Sequence, residues 1–593
     1  MIKKIYSSLF VLWAFIYTLI SIKPALLFHV QQNPFFTNWG FFKDFAKYPG
    51  DLGVYISNII MQLFHSNLLG SLVIIILAFS LSLTLHAILC KLKLINDLVF
   101  TIIPFSLALC LFHDYHFPLV ILLQSVIIYL SIFLLLQLKK YTLILVLSLY
   151  ILFYYIFGSG AAIIFATTYI LITLIQSTSK PHLIKSLIIL ISAILLPIIA
   201  YLFIFNISFH HAFIQFIPEV PVTQRFNASK VMYAFLFLLP IILLFILLLS
   251  RVLKIDRFQN IIHKKLQITF HVIIICLMVG LVMSTSNKHE RNIVEVDFYS
   301  NSGNFDKVID IALADKTYDF SINLNYNRAI DYSGQFMQRF FEYPQLLGVT
   351  ALSPDKLKTP IYTMQACDYY YDINYISKSQ HMAYGMLTIE PYNVRALKRV
   401  VKTNLILGNY TAAQTFINIL SLNPLSKEFV DQYSLYVQDS NYILNDPELS
   451  EKRRLQPTNF AIPANISDRI IDLIAHDSSN MQAYEHLQIS FLLDHNLGAF
   501  IKHFEASVKF YNEVPEVYEQ ACLLYIYSTK TNPILFNRIG ENSKNNFSYF
   551  IKTMTEDKND LNAAQTKMLD LSNTYLYYTA FLSPRVTNLK INN

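Results

Sequence analysis

Near Ser286 the chain changes character: long apolar runs with almost no carboxylates give way to a polar, tyrosine-rich half patterned for paired helices. Up to Thr285 the acids are Asp44, Asp51, Asp97, Asp114, Glu219 and Asp256. Stretches such as 69–89 and 187–205 leave a helix no wet face, so they do not suit a water-soluble domain. Apolar runs of about 20 residues match a hydrocarbon layer of roughly 30 Å. Charged residues make up 14% of the chain, against about 25% in ordinary soluble domains. The expectation is an all-α protein, with a polytopic transmembrane helix bundle at residues 1–285 and a soluble α-helical repeat domain at 286–593.

Nine spans are expected, at residues 5–27, 68–90, 94–112, 117–137, 142–157, 161–175, 183–205, 231–250 and 268–284. The fifth and sixth are short and either span or form one dipping hairpin turned at Gly158 and Gly160. Short cytoplasmic loops hold an excess of Lys and Arg. With the N terminus inside, the inner segments carry Lys3, Lys4, Lys91, Lys93, Lys139, Lys140, Lys180, Lys185, Arg251, Lys254, Arg257, Lys264 and Lys265. The outer ones carry only Lys23, Lys43, Lys47, Arg225 and Lys230. An odd number of spans then puts the second half outside the cytoplasm. The first span is followed by Lys23, Pro24, Leu26, Leu27 and Phe28 instead of a small-x-small cleavage site, so it is expected to stay as an anchor.

The net charge of +7 sits mostly in the inner-loop lysines and reports topology; it implies no nucleic-acid partner. Of five cysteines, Cys90, Cys110 and Cys276 lie in or beside spans, and Cys367 and Cys522 are too far apart in sequence to suggest a disulfide framework. No GxxxxGK[ST], GxSxG, HExxH or dinucleotide fingerprint occurs, so hydrolysis or redox chemistry by those motifs has no support.

Beyond Glu290 apolar residues return at helical spacing with recurring breaks. Leu397, Val400, Val401 and Leu405 form one face, Leu407-Gly408-Asn409-Tyr410 a turn, and Ala412, Ala413, Phe416, Ile417 and Leu420 the next face. Pro391 and Pro424 bracket this unit, 33 residues apart. The pattern resembles the tetratricopeptide repeat, with weaker echoes at Gly303, Gly334 and Gly498. Residues 444–466 read as an insertion. Such a stack implies a concave surface for an extended peptide or a partner domain, most simply an envelope protein. The clusters Tyr369-Tyr370-Tyr371 and Tyr575, Tyr577, Tyr578 either line that surface or belong to the core.

Ionisable groups of the first half collect on its outer side: Asp44, Asp51, Asp114 and Glu219 with His29, His65, His113, His116, His210, His211 and Arg225. The outer loop at 28–66 runs through Phe35, Phe36, Trp39, Phe41 and Phe42 to Asp44, turns at Tyr48-Pro49-Gly50 and resumes as an amphipathic helix at 52–64. Aromatic residues at that density suit the headgroup zone of a bilayer. The turn His113-Asp114-Tyr115-His116 could hold a divalent metal, move a proton, or simply cap two spans with solvated polar groups.

Two resemblances follow. The Tyr48-Pro49-Gly50 turn, with Leu397-Lys398-Arg399, Thr403-Asn404-Leu405-Ile406 and Gly408-Asn409-Tyr410, resembles an uncharacterised family of multi-span Bacteroidota membrane proteins. The order of span, outer loop with a carboxylate, further spans and terminal domain is similar to membrane glycosyltransferases that use polyprenyl-phosphate sugars. That likeness implies Asp44 as general base or metal contact, supported by Asp114 or His113, with Arg225, His210 and His211 on the phosphate of a polyprenyl glycolipid. The competing expectation is a scaffold, in which the spans are an anchor and the repeat domain recruits an envelope component.

Overall fold

A computed structural model describes residues 2–94, 97–138, 142–176, 179–214, 240–242, 245, 264–352, 360–456, 466–507, 510–533 and 537–584, and among them every regular element is a helix. The chain divides into two compact units, residues 1–287 with 422–425, and residues 288–421 with 426–593. The first boundary lies within two residues of the expected change at 285.

In the first unit the helix Asn67–Lys91 packs along Leu119–Leu135, while Thr142–Phe157 pairs with Ser159–Gln176 around Gly158 at φ +87°. The paired helices and their turn are those expected from Gly158. Among the described residues, three helices are long and apolar enough to cross a membrane: Asn67–Lys91, Ser159–Gln176 and Lys180–Ile204. The number rises to five if two bent pairs each count as one, and Val99–Leu111, Leu119–Leu135 and Thr142–Phe157 are shorter apolar helices. The nine expected spans are thus corrected to three to five candidates, and the eighth, at 231–250, lies almost wholly outside the described residues. The physical reason is visible in Leu119–Leu135. Every residue from Leu119 to Val126 is buried, so this sequence is apolar all round because other helices surround it.

The expected span at 5–27 is also broken. Helix Ile2–Tyr17 runs into a π-turn at Thr18–Ile22, Lys23 takes φ +52°, and Pro24–Gln31 leaves at a bend of 46°. Pro24 has no N–H to continue the ladder and is suited to start the next helix. The amphipathic helix expected at 52–64 forms as Asp51–Met61, and the aromatic run before it holds a further helix, Trp39–Ala46, capped by Asn38. Between them the Tyr48-Pro49-Gly50 turn seats on the end of Thr142–Phe157: the Gly50 N–H donates to the Tyr155 carbonyl at 2.9 Å, and the Tyr155 hydroxyl donates to the Ala46 carbonyl at 3.1 Å.

The second unit is built from antiparallel helix pairs. Lys288–Asn301 pairs with Phe305–Ala314, Pro360–Asp372 with Ile376–Ile389, Val394–Ile406 with Tyr410–Leu420, and Met481–Leu493 with Leu497–Ser507; Phe320–Tyr332 precedes the short helix Phe336–Arg339. Each first helix ends alike. A left-handed residue follows it (Gly303, Gly334, Asn374, Gly408 or His495), and the next N–H reaches back five residues to a helix carbonyl. These bonds, such as Asn409 to Asn404 at 2.8 Å and Tyr375 to Tyr370 at 2.8 Å, satisfy carbonyls the helix end would otherwise orphan. The expected turns at Gly303, Gly334 and Gly408 are present, whereas Gly498 lies inside a helix and His495 makes that turn. Most of the clustered tyrosines belong to the core, Tyr369, Tyr370, Tyr575 and Tyr578 with Phe340, Phe500 and Leu492 and Tyr577 with Phe550 and Phe581, whereas buried Tyr371 lines a cleft. Residues 444–466 are not a loose insertion throughout, since Pro447–Arg454 is a helix packed on Val394–Ile406.

Candidate functional site

The residues singled out in the first half divide into separate settings. Asp44, on Trp39–Ala46, accepts a hydrogen bond from Lys47 Nζ at 2.7 Å, with both side chains about half exposed. Asp114 turns its carboxylate onto the His116 N–H at 2.9 Å, an Asx turn that closes its own loop. His113 lies 2.9 Å from the Tyr17 hydroxyl through Nε2 and 2.9 Å from Thr285 Oγ1 through Nδ1. Thr285 donates its hydroxyl to the Val282 carbonyl, so it accepts from Nδ1–H, and Nε2 accepts from Tyr17. Burial lowers the His113 imidazole to about 4, so it is neutral near pH 7 and ties three segments together. His113 and Asp114 share one turn, while Asp44 bonds within a different element. His210 is exposed on the six-residue helix Phe209–Ile214, which also contains His211, and Arg225 lies outside the described residues. Among the described residues, no group of three or more His, Cys, Asp or Glu is placed to hold a metal ion. A further ionisable contact joins Asp97 to buried His271 at 2.8 Å.

The densest polar chemistry lies in the second unit. The ends of four successive first helices, Lys288–Asn301, Phe320–Tyr332, Pro360–Asp372 and Val394–Ile406, frame a cleft of about 740 Å³ closed on its other side by Pro447–Arg454 and residues 479–482. Asp368 is its buried centre. Arg399 Nη2 donates to Asp368 Oδ1 at 2.7 Å, Arg395 donates to Oδ2, and Arg328 lies 3.7 Å away. Burial opposes the charge on Asp368, but these three guanidiniums overcome it and hold the carboxyl down at about 2. Arg328 donates through Nε to Asp372 and through Nη1 to Ser300 Oγ at 2.9 Å. Tyr332 donates its hydroxyl to Asp372 Oδ1 at 2.8 Å.

A second tier lies alongside. Arg399 stacks 3.7 Å from the ring centre of Tyr371, whose hydroxyl donates to Glu448 Oε1 at 2.6 Å. Lys402 donates to Glu448 Oε2 at 2.9 Å. Burial works against the Glu448 charge, yet Lys402 and Tyr371 outweigh it and keep the carboxyl below its ordinary value. Lys452, buried by the same helix, is lowered to about 8 by desolvation, against the opposing pull of Asp372 and Glu448. It donates to the Tyr371 carbonyl at 2.7 Å and to Asn374 Oδ1 at 3.2 Å. Asn480 lines the same cleft at 5% exposure. Its Oδ1 accepts from the Ala483 N–H, and its Nδ2 has no hydrogen-bond partner among the described residues.

Of these groups the sequence singled out Tyr371 alone, within the Tyr369-Tyr370-Tyr371 cluster, and none of the charged ones as a site. The available signal was spacing: Asp368 with Asp372, Arg395 with Arg399, and Asn325 with Arg328 each repeat at one helical turn beside apolar positions. Charges kept at helix intervals within a packed face must meet partners there, because an unpaired buried charge is too costly.

No curated protein and no solved structure matches this chain. A family model does, over residues 1–582. With nearly its whole length covered, the chain belongs to that family of unknown function, DUF6057.

Proposed function

We propose that this is a membrane-anchored docking protein: the first unit sits in the lipid bilayer of a bacterial inner membrane with its N terminus in the cytoplasm, and the second unit, a tetratricopeptide-like stack, works in the periplasm. There it holds an envelope component, a protein or peptide partner in the simplest case, during assembly. The observation that carries the reading is the cleft framed by the first helices of successive hairpins, because stacked hairpins present such a face to a ligand. The apolar helices Asn67–Lys91, Ser159–Gln176 and Lys180–Ile204 support the anchor, and the lysines at the expected inner loops support the orientation.

The test has two arms. Alkaline phosphatase fused after Ser286 is expected to be active and fused after Lys140 inactive; the reverse would end the periplasmic assignment. A benzoylphenylalanine photoprobe replacing Tyr332 in the full chain, irradiated in native membranes, is expected to give a discrete adduct. A probe at exposed Lys552 is expected to give none, and equal labelling at both positions would remove the cleft from the mechanism.

A further inference from the structure

We infer that the cleft in the second unit takes a neutral, polyhydroxylated ligand, a segment of glycan. The inference rests on the docking reading and puts a glycan in place of a protein or peptide as the occupant of the cleft. Four features of the cleft point the same way.

The first is charge balance. Arg328, Arg399, Lys402 and Arg454 line the cleft, and each already has a carboxylate, Asp372, Asp368, Glu448 and Glu451 respectively; the fifth lining cation, Lys452, is engaged by the Tyr371 and Asp372 carbonyls and Asn374 Oδ1. A strongly anionic or cationic ligand would have to pull one partner from these pairs, leaving the other buried or half-buried without its counterion. The cleft therefore disfavours polyphosphates and highly charged peptides.

The second is that paired charges keep spare capacity. A carboxylate offers about four acceptor positions and a guanidinium five donors, so a pair engaged through one or two bonds still has both kinds to offer. A hydroxyl donates one hydrogen and accepts through two lone pairs, so it can bridge acid and base without parting them. A ligand with hydroxyls along its length uses such a wall fully. A peptide offers a donor and an acceptor per residue and otherwise relies on side-chain pockets, whereas the apolar lining here, Phe305, Tyr332, Tyr371, Pro447, Leu455 and Met481, is matched about equally by polar surface.

The third is an aromatic platform. Phe305 and Tyr332 stack with ring centres 4.4 Å apart and planes 12° apart, and both line the cleft. Tyr332 is 49% exposed although its hydroxyl is tied to Asp372. A fixed, half-open aromatic ring beside hydrogen-bonding groups suits the C–H face of a pyranose, which is apolar while its edge is polar.

The fourth is Asn480, a cleft-lining residue whose buried Nδ2 donor has no acceptor among the described residues. Buried polar atoms are nearly always satisfied, and a ligand oxygen at this place would complete the set. The volume of about 740 Å³ suits a few sugar rings.

The experiment uses the full chain in detergent and immobilised neutral hexasaccharides (malto-, cello-, chito- and manno-), beside hexa-aspartate and hexalysine. Binding to at least one hexasaccharide is expected, weakened about tenfold or more by Tyr332→Ala and by Asn480→Asp, and preserved in Tyr332→Phe and Lys552→Ala. Asn480→Asp keeps the oxygen that caps the helix beginning at Met481 and replaces the amide donor with a charged carboxylate oxygen. Melting curves of the variants identify any that fail to fold. No binding to any hexasaccharide, binding indifferent to both substitutions, or capture of the charged peptides alone overturns the inference. A photoadduct at Tyr332 with no saccharide bound would overturn the glycan while leaving the docking reading intact; loss of both would end both.

Discussion

Lys452 Nζ lies 2.7 Å from the carbonyl oxygen of Tyr371, so a residue of the helix Pro447–Arg454 caps the C-terminal end of the helix Pro360–Asp372. Its neighbour Arg453 does the same for Val394–Ile406, donating to the Leu405 and Ile406 carbonyls at 2.6 and 3.1 Å. Cations at helix C-termini meet both orphan carbonyls and the negative end of the dipole. Lys452→Met keeps the stem and removes the bonds, and is expected to cost about 2–3 kcal/mol. Denaturant unfolding of the full chain followed by tyrosine fluorescence measures it; an unchanged midpoint would show that the cap is redundant.

Asp368 is the common anion of Arg328, Arg395 and Arg399. Asp368→Asn is nearly isosteric but leaves three clustered cations, so a loss of about 3–5 kcal/mol is expected. In the native protein its carboxyl, held at about 2 against an ordinary 3.8, contributes stability at pH values above 3.8, and this contribution is lost as pH falls through about 2. Acid titration of the wild type and the variant by circular dichroism separates the two effects.

Glu485 behaves in the opposite sense. Burial, then the nearby Asp331, raises it to about 7, against relief from Tyr511, which donates to it at 3.1 Å, and from His486. The folded state keeps a proton that the unfolded chain releases near 4.5, so stability falls as pH rises from about 4.5 to 7 and levels off above. The full loss is about 3 kcal/mol. Glu485→Gln is expected to flatten that slope and to be the more stable protein at pH 8.

Gly53 faces the end of the helix Thr142–Phe157 so closely that an added Cβ would lie 2.6 Å from Phe157 Cδ1 and 2.9 Å from the Ile156 carbonyl oxygen. Since a carbonyl of helix backbone does not move cheaply, Gly53→Ala is expected to cost about 1–3 kcal/mol. Gly280→Ala, whose new carbon meets nothing within 4 Å among the described residues outside its own helix backbone, is the control in a thermal-shift assay in detergent.

Asp44→Ala removes one exposed ion pair with Lys47 and is expected to change stability by less than about 0.5 kcal/mol. If Asp44 were the base of a glycosyltransferase, the same variant would instead abolish sugar transfer from a polyprenyl-phosphate donor while melting like the wild type.

What the sequence made legible was whatever local chemistry dictates. Gly408 marks a turn because a left-handed residue is needed there and glycine adopts it freely. Asn374 and His495 do the same work in the same geometry and went unread, because asparagine and histidine reach that conformation less often and so announce it less. Hydropathy marked the change of composition near Ser286. It could not separate a lipid-facing helix from one enclosed by protein, and Leu119–Leu135 is the second kind over its first half. The cleft stayed hidden for a different reason. Arg328, Asp368, Arg399 and Glu448 belong to four helices, and no periodicity within one helix says which polar residue of another it will meet.

The two carbonyl caps made by Lys452 and Arg453 also bear on how the second unit comes apart. In a plain array of hairpins each pair leans only on its neighbours, and end pairs can fray while the rest persists. A short helix holding the tails of two first helices at once removes that freedom, because neither can open without breaking the same strut. Backbone amides of Pro360–Asp372 and Val394–Ile406 should therefore exchange with solvent as one cooperative block, and Pro447–Arg454 should exchange with them. The segment that reads as an interruption in the pattern is, mechanically, a clasp.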